Sequence, residues 1–507
     1  MRRISSKSNV FLLLTILYIY IPVVIFLLGF TKWYIGIPTA IISTVFAYKM
    51  YASFKEDNRE REDVTISVPV FVTAITFIVI VCILCGICGL YPQAGDWYKH
   101  NAVLHDLVNY PWPIYYSSRE TCMLTYYLGQ YMIPGLLGKI FNNFWVANFA
   151  MAIWAFVGLA LVYLQLIRIV KAESSLKQLI TAVVLLFFCG AVVLAQNLLG
   201  GIYGDASYCE GSYHWILVKS IMVQYRSNLV MLRWVFPQVI VPWLVSMLIY
   251  EHRQHVEHYV ALILPTLLFA SFSFAALGAV GVMLAIYQCV MNKDEIKAWC
   301  KKLLSVSNIL MALSLGLILF FYFLGNIQVD KPLSSSFRLQ KYNSSTIWIY
   351  VIFCFFTFGI YALCTWKEHR KEELFYINVL ILLALPFMRM GLCNDVVMSG
   401  SIPSLFFIMI FCLRVLFNHP ESGIRQGIII FCMCVGAFYP CMELRDNIIA
   451  NREGMDMGDE FFTMEQFTDR EDDEISEDLV YNYYTYDMKG KFFYEHIARF
   501  KLSSYYD

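Results

Sequence analysis

Charge is scarce in this chain of 507 residues: only 15% are Asp, Glu, Lys or Arg, against about 25% in an average soluble protein. That shortage, beside 59% hydrophobic residues, excludes a soluble enzyme and a disordered chain. Apolar/polar alternation is also missing, which speaks against a β-barrel. The same composition excludes a secreted disulfide scaffold, and there is no CxxC pair with metal-site spacing in a loop. The 15 cysteines sit mostly inside apolar runs and read as small hydrophobes; Cys82, Cys85 and Cys88 share one helix face. No stretch is basic and aromatic enough for nucleic acid. Walker A, GxGxxG, HExxH and GxSxG contexts are absent, as are internal repeats and low-complexity linkers.

What is present is a series of continuous apolar runs of roughly twenty residues, each long enough to cross a bilayer. They fall at 10–30, 33–50, 66–90, 144–167, 178–197, 234–250, 258–272, 274–291, 303–324, 346–365, 373–388, 400–417 and 424–441. The expected fold is an all-α polytopic membrane protein with about 13 transmembrane helices. The first run is too long for a signal-peptide core and is read as a retained span. The short pair at 258–291 reads as a candidate re-entrant hairpin.

Segment 122–141 decides the topology. If it stays outside, the inner segments carry 20 Lys/Arg in 74 residues and the outer ones 11 in 122, in keeping with the positive-inside rule. If it crosses, the bias reverses. It is therefore expected to lie along the outer surface as an amphipathic helix, with Tyr126, Tyr127 and Tyr131 at the interface. The N-terminus is then cytoplasmic and the C-terminus extracytoplasmic. Residues 1–441 form the transmembrane domain, with outer loops at about 91–143, 200–233, 325–345 and 388–399. The net charge of zero hides an asymmetry: residues 442–507 hold 17 acids and 7 bases. This acidic, aromatic-rich tail is expected to pack partly back against the membrane domain.

The spans hold almost no ionisable groups near their middles, where ion-coupled transporters and pumps keep them. The polar groups gather in the outer loops. In the first, GDWYKHN places Asp96, Lys99 and His100 on one helix face at i, i+3 and i+4; Asp96 reads equally as the N-cap. Arg119 follows. In the second, Asp205, Glu210 and His214 form a polar group with weak metal-binding character, Asp205 and Glu210 supplying the carboxylates. Lys219, Arg226 and Arg233 follow at seven-residue intervals, one side of a helix, as interfacial anchors or as a phosphate clamp. In the last, Arg389, Asn394 and Asp395 crowd a tight loop, where Asp395 alternatively caps the next helix.

This layout resembles the GT-C class of membrane glycosyltransferases, in which an acidic residue lies early in the first large outer loop and that loop carries helices along the membrane. Asp96 in GDWYKHN holds that position, although after the third span and not the first, and Asp96-Trp97 is not the paired acidic motif common in the class. A second acid then comes from Asp205, Glu210 or Asp395. The resemblance implies a GT-C-like fold and transfer of a sugar from a polyprenyl-phosphate donor to an acceptor hydroxyl of a glycan, lipid or protein, with inversion. This would serve cell-envelope glycan synthesis, in a bacterial cytoplasmic membrane. It implies Asp96 as catalytic base, oriented by His100 or Lys99. Arg226, Arg233 and Arg389 would hold phosphate, with Arg119, Asp205, Glu210, His214, Lys219, Asn394 and Asp395 lining the substrate site. A divalent cation, Mg2+ or Mn2+, is the candidate cofactor. The competing readings are an envelope polysaccharide polymerase or ligase, favoured by a very large outer loop rich in Arg and His, and a lipid-linked glycan transporter, favoured by charged cavities within the bundle.

Overall fold

The computed structural model describes residues 3–5, 9–60, 63–87, 89–93, 95–116, 122–204, 214–291, 296–327, 336–391, 393–452, 463–468, 483–485 and 488–500. It is an all-α polytopic membrane protein. Among the described residues, eight helices are long and apolar enough to cross a membrane: Asn9–Phe30, Trp33–Asn58, Phe144–Ile169, Ser175–Tyr203, Ser271–Met291, Ile296–Ile327, Ile347–His369 and Pro420–Asn451. A ninth candidate is the pair Asn228–Gln238 and Ile240–His252, bent by 100°. Four shorter apolar helices accompany them: Val68–Leu84, Val256–Leu268, Glu373–Phe387 and Ile402–Asn418. The only sheets among the described residues are small pairings of two or three strands.

Apolar rows face outward on these helices. Phe149, Ile153 and Val157 are exposed at four-residue steps, and so are Val282, Ile286 and Val290. In water such faces would be costly; against lipid tails they are neutral. Capping side chains set several helix starts. Asn143 accepts from the N–H groups of Trp145 and Val146, Ser174 from Lys177 and Ser227 from Val230, each satisfying a donor the helix cannot.

Two runs that read as simple spans are interrupted. Helix Ser175–Tyr203 breaks at residues 188–191. In lipid a broken helix must have its backbone satisfied by neighbours, and it is. Ala191 N–H donates to Phe356 O, Tyr361 Oη to Cys189 O, and Asn228 N–H to Phe188 O. Phe356 lies in a widened π-type turn, Phe355–Gly359. Gly190 makes the approach possible, because a Cβ there would fall 2.3 Å from Thr357 O. The run at 234–250 bends at Val239, just after Pro237. The suspected hairpin at 258–291 resolves into a short helix and the full-length helix Ser271–Met291.

The loops sort into two sets that contact each other within a set. One set joins residues 57, 65, 168–178, 250–258, 303–308, 368–373 and 414–425, through pairs such as Arg168–Glu251 at 2.5 Å, Arg253–Glu373 at 2.7 Å and Gln178 to Thr65 O at 3.0 Å. The other joins the first, second and later loops to the C-terminal segment. There Trp97 donates to Arg233 O, Arg389 to Ser220 O, Tyr203 to Ser345 O, and Asn326 to Tyr484 O. The long helices run from one set to the other, so the two sets mark opposite ends of the bundle.

Segment 122–141 differs from the expected surface helix. Cys122–Leu124 is a strand between Tyr115–Tyr116 and Tyr484–Thr485, and only Met132–Phe141 is α-helical. Tyr126 and Tyr131 are buried inside the protein, not laid on an interface. Helix Phe438–Arg452 runs across residue 442, where the acidic tail begins in composition. The tail's later described parts pack back as expected, with helix Met464–Thr468 against the first loop and Phe493–Ile497 against helix Leu317–Ile327.

Candidate functional site

The first loop folds into helix Asp96–Asn109. Gly95 occupies the N-cap and no side chain caps the helix, so Asp96 is the first helical residue and is not spent on backbone. Its carboxylate takes the Lys99 ammonium at 2.7 Å, the i,i+3 pairing the sequence implied. His100 lies on the same face but turns away from Asp96. Its Nε2 meets Trp234 O at 3.0 Å and its Nδ1 meets Tyr131 Oη at 2.6 Å. Since a carbonyl only accepts, Nε2 carries the proton and Nδ1 accepts from Tyr131. Burial pushes the His100 pKa down to about 4, which favours the neutral ring. Trp97 anchors the helix by donating to Arg233 O at 2.7 Å and stacking on Phe236.

The second loop is not one helix. Trp215–Val218 and Ile221–Gln224 form an antiparallel hairpin. Lys219 and Ser220 are its turn, with φ of 47° and 65°, the double positive-φ pattern of a type I′ turn. This overturns the shared helix face expected for Lys219, Arg226 and Arg233. Lys219 lies over the Tyr203 ring. Arg233 pairs with Glu443 at 3.0 Å and donates to Asn447, contacts that fasten helix Phe438–Arg452 to this loop.

Arg226 is the exception. Its Nε donates to Gln224 Oε1 at 2.7 Å, and its guanidinium lies between the Trp215 and Trp234 rings, 5.6 and 5.9 Å from their centres. No described group bonds its two terminal nitrogens. Arg226 lines a small cavity with Asn228, Trp243, Ser401 and Leu405. A rigid, desolvated fork with open donors suits phosphate or carboxylate oxygens.

The third loop completes the site. Asn394 is buried and used up by the backbone: it donates to Met222 O and Met388 O and accepts from Met390 N–H. Asp395 begins helix Asp395–Gly400 and forms no described hydrogen bond. Its Oδ2 lies against Gly391, φ +82°, where any Cβ would collide with it. Arg389 points elsewhere, to Ser220 O, and faces Arg338 across a two-residue strand pair.

Asp96, Asp395, Arg226 and Lys99 thus converge from three loops. Asp96 is close enough to Asp395 to raise its proton affinity. Burial pushes the Asp395 pKa up to about 6, and the Asp96 charge adds to this, while Arg226 and Lys99 oppose it. At Asp96 burial also pushes upward. Lys99, by charge and hydrogen bond, with His100 and Arg226, more than offsets it and holds the carboxyl below its ordinary value. The Asp96 side chain keeps 33% of its surface accessible although protein surrounds it, as expected at the wall of a recess. Tyr126, Tyr127, Tyr131 and Tyr483 ring the pair.

His214 is fully buried, with Nδ1 3.8 Å from Cys189 Sγ. Burial, with Arg226 nearby, pushes its pKa down to about 3. Arg119, Asp205 and Glu210, including the candidate Mg2+ or Mn2+ carboxylates, lie outside the described residues. Asp106 was not singled out in the sequence. It is wholly buried and accepts from Tyr116 Oη at 2.6 Å, Met464 N–H at 2.9 Å and His105 Nδ1 at 3.1 Å. Its neighbours His105 and Tyr116 gave no periodic signal that the tail would return to it.

No protein-family model matches the chain, and neither a curated protein nor a solved structure matches it.

Proposed function

We propose that the protein is an inverting glycosyltransferase of GT-C-like fold that moves a sugar from a polyprenyl-phosphate donor to an acceptor hydroxyl, at the extracytoplasmic face of a cell-envelope membrane. Counting the bent pair and the four short apolar helices as passes gives thirteen crossings. The convergence of Asp96 and Asp395, with pKa values pushed apart, beside the open Arg226 fork carries the reading. Two carboxylates that differ in proton affinity divide acid–base labour, and a fixed guanidinium stabilises charge that develops on a leaving phosphate.

The roles differ from those expected from the sequence. A base works best with a pKa near the working pH. Asp395, at about 6, meets that condition; Asp96, held ionised by Lys99, is the weaker base. In the proposed step the acceptor oxygen attacks the anomeric carbon from the face opposite the phosphate. The bond from that carbon to the phosphate oxygen breaks, with its electron pair leaving on the lipid phosphate. Arg226 holds that phosphate, Asp395 takes the hydroxyl proton, and Asp96 positions the acceptor. Lys99 is paired with Asp96, and its charge together with that of the open Arg226 fork repels a further cation, so activity is expected not to depend on added Mg2+ or Mn2+.

The test is turnover of radiolabelled polyprenyl-phosphate sugars by protein in detergent. Wild type should release or transfer sugar. Its kcat/KM should fall as pH drops through about 6, and Asp395→Asn should be inactive though folded. In Asp96→Asn the acidic limb of any residual activity should move to lower pH, because the charge that raises Asp395 is gone. No turnover with any donor by folded protein would sink the proposal.

A further inference from the structure

A second chemical cluster lies at the opposite end of the bundle, where no substrate group is proposed. Helix Trp33–Glu60 brings Asp57 to the end of the bent pair, where the sequence EHRQHVEH places His252, His255 and His258 three residues apart. Asp57 Oδ2 lies 2.9 Å from His252 Nδ1 and 2.9 Å from His255 Nε2. The three donor atoms fall within 4.8 Å of one another. Asp57 is nearly 200 residues from both histidines, so tertiary folding, not local sequence, makes this triangle.

Two imidazole nitrogens and the carboxylate oxygen they approach are three of the four donors of a tetrahedral metal shell. A tetrahedral ion of the zinc type, about 2.0–2.1 Å from its ligands, needs donors about 3.3 Å apart, a few tenths of an ångström beyond the 2.9 Å that separates Asp57 from each histidine. The outer shell is in place too. His255 Nδ1 meets Glu257 Oε1 at 3.0 Å, the carboxylate–histidine arrangement that fixes the tautomer and leaves Nε2 for a metal. His252 stacks on Phe54, ring centres 3.8 Å apart, which holds its plane. Asp57 and His255 retain 34% and 22% of their side-chain surface, leaving room for water as the fourth ligand.

We propose that Asp57, His252 and His255 bind one divalent transition-metal ion of the zinc class, with Glu257 orienting His255. Imidazole with a carboxylate suits Zn2+ and its neighbours over Mg2+ or Ca2+. The ion would fasten helix Trp33–Glu60 to helix Ile240–His252, whose bent partner Asn228–Gln238 leads back to Arg226. The other His/acid group, Glu368, His419 and Glu421, is more exposed, and Glu368 is already held by Arg425 at 2.6 Å. It serves as the control.

The full chain is purified through a tag without histidine, stripped with chelator, and titrated with Co2+ and Zn2+. Wild type should bind one equivalent and develop visible Co2+ d–d bands that Zn2+ abolishes. His255→Gln and Asp57→Asn should lose the bands. Glu257→Gln should weaken Zn2+ binding roughly 10-fold, and His419→Gln should leave it unchanged. Monodispersity on gel filtration checks that each variant is folded. Should a variant fail to fold, wild type decides alone: no bands in folded wild type overturn the proposal, as do unchanged bands in folded His255→Gln.

Discussion

Asp395 shows how one residue sets both chemistry and a stability cost. Its pKa is raised on folding, from an ordinary 3.8 to about 6. The folded state therefore binds the proton more tightly. The stability this contributes is complete below pH 3.8 and is lost as pH rises through about 6. At pH 7 the ionised, buried carboxylate is a burden of about 1–3 kcal/mol. Asp395→Asn should raise the thermal midpoint at pH 7 and leave it nearly unchanged at pH 4, while abolishing turnover. An equal shift at both pH values would show that the carboxylate is not strained. Arg226 carries the complementary prediction. Lysine cannot reproduce a fork held flat between two indoles, so Arg226→Lys should lower kcat/KM on the order of 10²-fold, measured with the polyprenyl-phosphate donor.

At the scale of elements, short pieces around the loops hold the site. The Lys219–Ser220 turn places two ordinary residues at positive φ, a conformation that asparagine and glycine adopt more easily. Replacing the pair by Asn-Gly should stabilise the protein by roughly 0.5–1 kcal/mol, visible as a higher denaturation midpoint. Helix Asp96–Asn109 depends on Asp106, which joins strand Tyr115–Tyr116 and helix Met464–Thr468 to it. Asp106→Ala strands a buried Tyr116 hydroxyl and the Met464 N–H, at about 1–3 kcal/mol for each donor. Amide exchange at Met464 should accelerate in this variant; unchanged protection there would mean that the tail is held by other contacts.

For the whole molecule, the decisive feature is the separation of the two sets of loops. It predicts one-sided chemistry. In a background without other reactive thiols, Cys300, exposed beside the Asp57 end, should react with an impermeant maleimide from one side of a sealed vesicle. A cysteine at exposed Asn109 should react only from the other side. Labelling of both from one side would refute the arrangement.

Composition and run length alone determined that this is a helical membrane protein, because burying so many apolar groups with so few charges has one economical solution in lipid. The i, i+3 contact of Asp96 with Lys99 was equally legible, being local to one helix. Asp96, Arg226 and Asp395 were each visible as candidates, yet nothing local could say which of the thirteen candidate residues meet. Heptad spacing pointed to a common face for Lys219, Arg226 and Arg233, but the hairpin's unusual turn residues concealed the strands. His100 read as a neighbour of Asp96 on one helix face, and only the tertiary structure shows its ring nitrogens at Trp234 O and Tyr131 Oη. The Asp395 pKa and the triangle at Asp57 arise from approaches across more than a hundred residues of chain. Electrostatics and desolvation act through space, so only the tertiary structure could decide them.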